Sequence, residues 1–178
     1  MSLTKCYWII SCFSFFNLLS IAVKAQDVGN KKMIEKLLID FQNAIQQKDS
    51  TQLVNLFFQT NTPIIGVMSK KTELFYRKKN PAFQGLSVSE AKQFVTEIMH
   101  TKAAISELII HPKIALNEKI ATVLFDYAYT IDAEIYQWGK ESWSLVFAEG
   151  QWFIANINYT IHKSNIEIAP NFYKGSRR

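Results

Sequence analysis

Residues 120–131 read Ile-Ala-Thr-Val-Leu-Phe-Asp-Tyr-Ala-Tyr-Thr-Ile. Every second side chain (Ala121, Val123, Phe125, Tyr127, Tyr129, Ile131) is apolar or aromatic, and the opposite set, including Thr122, Asp126 and Thr130, is more polar. Period-two alternation over this length predicts a long strand with one buried face. On its N-terminal side, Glu107 to Leu116 predicts a second strand, interrupted or edge-placed by Pro112, and Asn117-Glu118-Lys119 makes the turn between them. On its C-terminal side a third strand is expected after Gly139, with Trp143, Leu145 and Phe147 on one face and Ser142 and Ser144 on the other. Glu149-Gly150 turns the chain into a last strand, Trp152 to His162. Residues 164–178 read as a tail.

Upstream the period changes. From Lys31 to Lys48 the apolar positions Ile34, Leu37, Leu38, Phe41, Ala44 and Ile45 form one helical face. Asp49 or Ser50 caps a shorter helix carrying Leu53, Leu56 and Phe57. Thr62-Pro63 breaks helix, and residues 64–68 predict a short strand. Residues 69–86 read as irregular and basic, with Glu73 to Arg77 extended. Ser87-Val88-Ser89-Glu90 offers a capping box for a third helix, whose buried face is Ala91, Phe94, Val95, Ile98 and Met99. Helices followed by an antiparallel meander predict an α+β domain over residues 26–163, with helices packed on one face of a curved sheet.

The first 25 residues read as a secretory leader: Lys5, an apolar run from Tyr7 to Val23, and Val23-Lys24-Ala25 as the small-x-small exit. An uncleaved anchor is the competing reading, which Ser11, Ser14, Asn17 and Ser20 weaken. Ile10-Ser11-Cys12 is a poor lipoprotein site, because its apolar stretch follows the cysteine. The expectation is export to the periplasm or the medium, with no membrane attachment after cleavage. Cleavage removes Lys5 and Lys24 from a formal charge of +5, and Cys6 and Cys12, the two cysteines of the chain. Disulfides, thiol catalysis and cysteine-held metals are then excluded for the exported form. The remaining charge does not predict nucleic-acid binding. Lys70-Lys71 and Arg77-Lys78-Lys79 read first as a solvated loop, with an anionic partner as the sharper alternative.

Three features carry a resemblance. Lys48-Asp49-Ser50-Thr51-Gln52-Leu53-Val54-Asn55-Leu56-Phe57 is similar to a short helix–corner–helix signature. The order strand, helix, meander follows it. Phe147-Ala148-Glu149-Gly150-Gln151-Trp152-Phe153-Ile154 resembles a penultimate hairpin with Trp-x-Ile after a Gly turn. Together, over about residues 31–162, they resemble the nuclear-transport-factor-2-like (SnoaL-like) superfamily, particularly its secreted bacterial members. The resemblance implies a cone-shaped α+β fold whose sheet curls around a pocket closed by helices. That fold hosts isomerases, cyclases, dehydratases, ligand binders and interaction modules, so it does not give function.

The superfamily's steroid isomerases place a tyrosine, an acidic base and a protonated acid at positions that fall here on Phe41, near Ile65 and near Trp143. None has the required chemistry. His100, His111 and His162 show no metal spacing, and Ser142 and Ser144 have no adjacent His–acid partner. Asp126 is out of phase with Phe125 and Tyr127 and is expected to face outward, and Asp40 falls on the polar side of its helix. Asn158-Tyr159-Thr160 matches a glycosylation acceptor but lies in a strand, and is read as chance. No catalytic set, metal or cofactor is expected.

What remains is an aromatic face: Phe41, Phe94, Phe125, Tyr127, Tyr129, Trp143, Phe153 and Tyr159. It reads either as ordinary core or as a pocket for a small apolar or aromatic molecule, in which Phe41, Phe94, Phe125, Tyr127, Tyr129, Trp143 and Tyr159 are the candidate ligand-binding residues. An enzyme would have to draw on Tyr127, Tyr129 and His100. A homodimeric module would pack through an outer sheet face carrying Leu124, Val146, Trp152 and Ile154.

Overall fold

The computed structural model describes the backbone of residues 6–175 and the side chains of residues 27–173. The chain runs α1 (Cys6–Gln47), α2 (Ser50–Asn55), β1 (Pro63–Met68), α3 (Lys70–Arg77), β2 (Leu86–Glu90), α4 (Ala91–His100), β3 (Ile105–Leu116), β4 (Ile120–Ile131), β5 (Glu134–Ala148), β6 (Gln151–Lys163) and α5 (Phe172–Gly175). The expected leader, residues 1–25, lies outside the residues described with side chains.

One six-stranded sheet holds the strands in the order β2-β1-β6-β5-β4-β3. All pairs are antiparallel except β1 with β6. The concave face packs against α1, α2 and α4. Ile34, Leu37, Leu38, Phe41, Ala44 and Ile45 of α1 are buried there with Leu53, Val123, Phe125, Trp143, Leu145 and Ile154. The corner between α1 and α2 follows from local chemistry. Lys48 adopts a left-handed φ of 52°, and Asp49 Oδ1 accepts from Gln52 N at 2.8 Å, capping α2. Lys48 Nζ donates to the carbonyls of Thr101 and Ala103, which ties this corner to the end of α4.

Several expectations are corrected. Residues 70–77 are helical, not extended: Ser69 Oγ accepts from Thr72 N at 3.1 Å, and an ion pair joins Glu73 to Arg77 one turn on. Residues 86–90 form β2, not a capping box, because β1 takes them as its edge partner. Glu90 makes no side-chain cap bond; the first amides of α4, from Ala91 and Lys92, donate instead to the carbonyls of Thr62 and Thr60. β5 begins at Glu134, because Asp132 and Ala133 close a tight hairpin with φ of 48° and 64°. Gly139 is therefore mid-strand, where a Cβ would come within 2.2 Å of the Thr160 carbonyl.

Three irregularities bend the strands. His111 and Pro112 bulge out of β3, where φ of His111 is 54°. Tyr136 is the extra residue of β5 opposite β4, and Ala155 is the extra residue of β6 opposite β5. The last of these reverses the phase of β6. Trp152 and Ile154 are consequently buried in the core rather than on the outer face, and Phe153 is turned outward against Phe58. Of the four residues expected to pack on a dimer partner, Leu124 alone is exposed and Val146 is half-buried.

The tail is docked. Ala169 and Tyr173 are buried against Ile110, Ala128 and Trp138 on the outer face. Tyr173 OH donates to the Gly139 carbonyl at 3.0 Å, and Glu167 accepts from the hydroxyls of Ser69 and Thr72.

Candidate functional site

The strands splay from α4 at one end of the cone and enclose a partly open cavity of about 290 Å³. That is room for about ten water molecules at roughly 30 Å³ each. Its walls come from Phe41 of α1, Ile64 of β1, residues 87–89 of β2, Phe94, Glu97 and Ile98 of α4, and the inward faces of β3 to β6.

Two of those inward residues are glutamates. Glu107 of β3 stands opposite Tyr129, and Glu141 of β5 stands between Phe125 and Tyr159. They are 7% and 4% exposed, which is exceptional for carboxyls. Glu141 Oε1 accepts from Trp143 Nε1 at 2.6 Å. Glu107 Oε1 is buried without a hydrogen-bond partner.

Burial pushes Glu107 well above the ordinary carboxyl range, and the neighbouring Glu141 charge pushes it further. Burial raises Glu141 to about 7, against the Trp143 hydrogen bond, which favours its anion. The indole N–H favours Glu141 over Glu107 as the member of the pair that ionises.

The tyrosines complete the wall. Tyr127 is fully buried, and its hydroxyl donates to the Thr160 carbonyl at 2.8 Å. Its ring meets Tyr159 edge-on at 5.9 Å. Burial, and then the two glutamates, hold Tyr127 protonated far above its ordinary value. Burial raises Tyr129 to about 12, and raises Tyr159 in spite of a hydrogen bond with Ser87. These phenols are donors or acceptors of hydrogen bonds at neutral pH, not bases.

Of the seven sequence candidates, the fold brings Phe41, Phe94, Tyr127, Tyr129 and Tyr159 to the cavity. Phe125 and Trp143 lie beneath it, packed edge-on at 5.3 Å, and Trp143 reaches the site through its N–H to Glu141. His100 is exposed, bonded at Nδ1 to the Thr96 carbonyl, and does not line the cavity. Asp126 faces outward, as its phase indicates, and pairs with Lys140 and His111. Asp40 pairs with Lys36.

Sequence reading missed Glu107 and Glu141, and both were visible. Glu141 shares the phase of Trp143 and Leu145, and Glu107 that of Ile105 and Ile109. An inward carboxyl stands two residues before the position where the steroid-isomerase resemblance sought its second acid.

Neither a protein-family model nor a curated protein matches the chain. Solved structures do. An NTF2-like protein with a cystatin-like fold from Novosphingobium aromaticivorans superposes with a TM-score of 0.60 at 8% identity, over 81% of this chain and 89% of that one. An NTF2-like protein of unknown function from Shewanella baltica gives 0.54 at 16% identity, over 77% and 97%. A protein provisionally named a scytalone dehydratase, again from Novosphingobium aromaticivorans, gives 0.58 at 11% identity, over 78% and 88%. At these identities the likeness is one of fold, and the fold is the nuclear-transport-factor-2-like cone.

Proposed function

We propose that this protein takes a small, largely apolar molecule into the cone cavity and holds its polar group against the Glu107–Glu141 pair. The observation that carries the reading is Glu107. A carboxyl 7% exposed, with one oxygen unpartnered, costs stability that an alanine or leucine there would not. A bound molecule that satisfies this oxygen recovers the cost. The aromatic walls supply apolar contact and shape.

The divided titration of the pair favours a second reading, acid–base catalysis of the isomerase or dehydratase kind. Glu141, raised to about 7, is a carboxylate basic enough to take a proton from carbon at neutral pH. Neutral Glu107 donates to the oxygen on which charge develops, or protonates a departing hydroxyl so that water leaves. Proton exchange of cyclohexanone in deuterated buffer, followed by NMR, tests this. Catalysed exchange that is lost in Glu141→Gln supports an enzyme. Ring-compound binding with no exchange above a free-glutamate control leaves a binding protein.

Export belongs to the same proposal and rests on residues 1–25. N-terminal sequencing of the protein from a periplasmic extract, starting at Gln26, is the supporting result.

A further inference from the structure

Building on the reading of the cavity as a small-molecule site, we propose that its ligand class is an organic ammonium: a primary or methylated amine carried on a small aromatic or alicyclic body. Three observations point to it. The charged side chains lining the cavity are Glu97, Glu107 and Glu141; no lysine, arginine or histidine is among the described lining residues. An anionic ligand would meet carboxyls with no cation to offset them. The Glu107 oxygen without a partner accepts hydrogen bonds, and an ammonium brings up to three donors together with the matching charge. The rings of Phe94, Tyr129 and Tyr159 border the same space, and aromatic faces attract a cation within about 6 Å.

Among the described residues, the titratable groups whose charge bears on Glu107 are acids. Tyr127 and Tyr129 approach from β4, Glu141 from β5 and Tyr159 from β6, while α4 presents Glu97 to the cavity. From α1 comes the neutral Gln42 amide, which donates to the Glu107 backbone carbonyl at 2.9 Å. The nearest described protein cations are held at the rim: Lys48 Nζ donates to the Thr101 carbonyl, and Lys163 Nζ lies over the Tyr136 ring and donates to Gln137; neither pairs with Glu107 or Glu141. Charge balance follows. The neutral Glu107 carboxyl gives its proton to solvent as the ammonium enters, so the bound state is a carboxylate–ammonium pair and one proton is released for each amine bound. A neutral isostere entering the same space releases none.

Calorimetric titration of the full chain at about pH 6, in phosphate and in Tris, measures both affinity and proton release. The probes are phenethylamine and cyclohexylamine, each against its hydroxyl counterpart, 2-phenylethanol and cyclohexanol. The expected result is amine binding at least about tenfold tighter than alcohol binding, weakened by salt, with close to one proton released. Glu107→Gln, which keeps an acceptor oxygen but loses the charge, is expected to reduce amine affinity by about tenfold or more and alcohol affinity by much less. Glu141→Gln, which keeps the acceptor for the Trp143 indole, serves as a second variant and weakens the amine more than the alcohol. Alcohols that bind as tightly as amines, or amine binding without proton release, overturn the ammonium proposal and leave the cavity reading standing. If neither series binds, both fall.

Discussion

Glu141→Gln should make the protein more stable at alkaline pH and change little in mild acid. Glutamine matches the volume and keeps an oxygen for the Trp143 indole, which sits 2.6 Å from Glu141 Oε1. What it removes is the charge. A carboxyl whose folded pKa lies above its unfolded value contributes fully while protonated in both states. That contribution fades as pH climbs from the unfolded pKa toward the folded one. For Glu141 the window runs from about 4.5 to about 7. Two and a half units at about 1.4 kcal/mol each come to roughly 3 kcal/mol of stability lost by the wild type at pH 8. The residue is 4% exposed, so solvent screening does little to reduce this.

For a chain of this size, each kcal/mol moves Tm by about 2–4 °C, so the variant should melt roughly 6–12 °C above wild type at pH 8. Near pH 5 the two should melt together. Loss of the Glu141 charge also removes one of the two influences that raise Glu107, which adds to the gain in the same direction. The assay is a pair of melting curves across pH 5 to 8 with denaturant unfolding at each end. Asp126 and Glu167, whose partners lower their pKa values, lose their contributions only in stronger acid and are common to both proteins. A Tm difference that does not grow with pH refutes the claim that a strained carboxylate sits under this cavity.

Three further outcomes follow from contacts elsewhere. Tyr173→Ala should cost about 3 kcal/mol by urea unfolding, because it exposes Ile110, Ala128 and Trp138 and breaks the bond to the Gly139 carbonyl; an unchanged midpoint would mean the tail is not packed. Trp143→Phe deletes the only described donor to Glu141, so the midpoint of the pH-dependent stability loss should move upward, and an unmoved midpoint contradicts the assigned role of the indole. Gly66→Ala places a Cβ 2.6 Å from Tyr159 Cζ and 2.8 Å from Ile161 Cδ1, which should cost about 1–3 kcal/mol and drive the Tyr159 ring toward the cavity; phenethylamine binding that is indifferent to this change removes Tyr159 from the wall.

The meander and its helices were legible because period two in β4 and period 3.6 in α1 are strong signals over a dozen residues. Ile120 to Ile131 is a strand with the bounds read from its alternation. Periodicity failed where the chain inserts a residue. Ala155 shifts β6 by one, so extrapolation from Tyr159 placed Trp152 and Ile154 on the wrong face. The Asp132-Ala133 turn lacks the glycine or asparagine that marks a tight hairpin, which hid residues 134–139 of β5. Helix α3 was hidden by its charges: Lys70, Lys71 and Arg77 look like loop until Ser69 is seen as its cap. The glutamates were missed for another reason. A search for a base at inherited positions tested Ile65 and Trp143 and stopped there, although the alternation that identified Trp143 as inward placed Glu141 beside it.

The same alternation separates a functional site from a gap in packing. An aromatic cone needs no charge to be stable: Phe41, Phe125 and Trp143 pack edge-on at 4.8 and 5.3 Å, and a leucine at 107 or 141 would extend that core without a desolvation cost. Instead two inward positions that line the cavity carry carboxyls, one anchored by an indole and one with an oxygen that has no hydrogen-bond partner. Dispersed through the sheet, two such residues would be isolated defects. Placed on β3 and β5, on either side of the phenols of β4, they line one cavity. On the proposed reading, the wild type trades stability near neutral pH for a pair of groups that act when a ligand occupies the space between them.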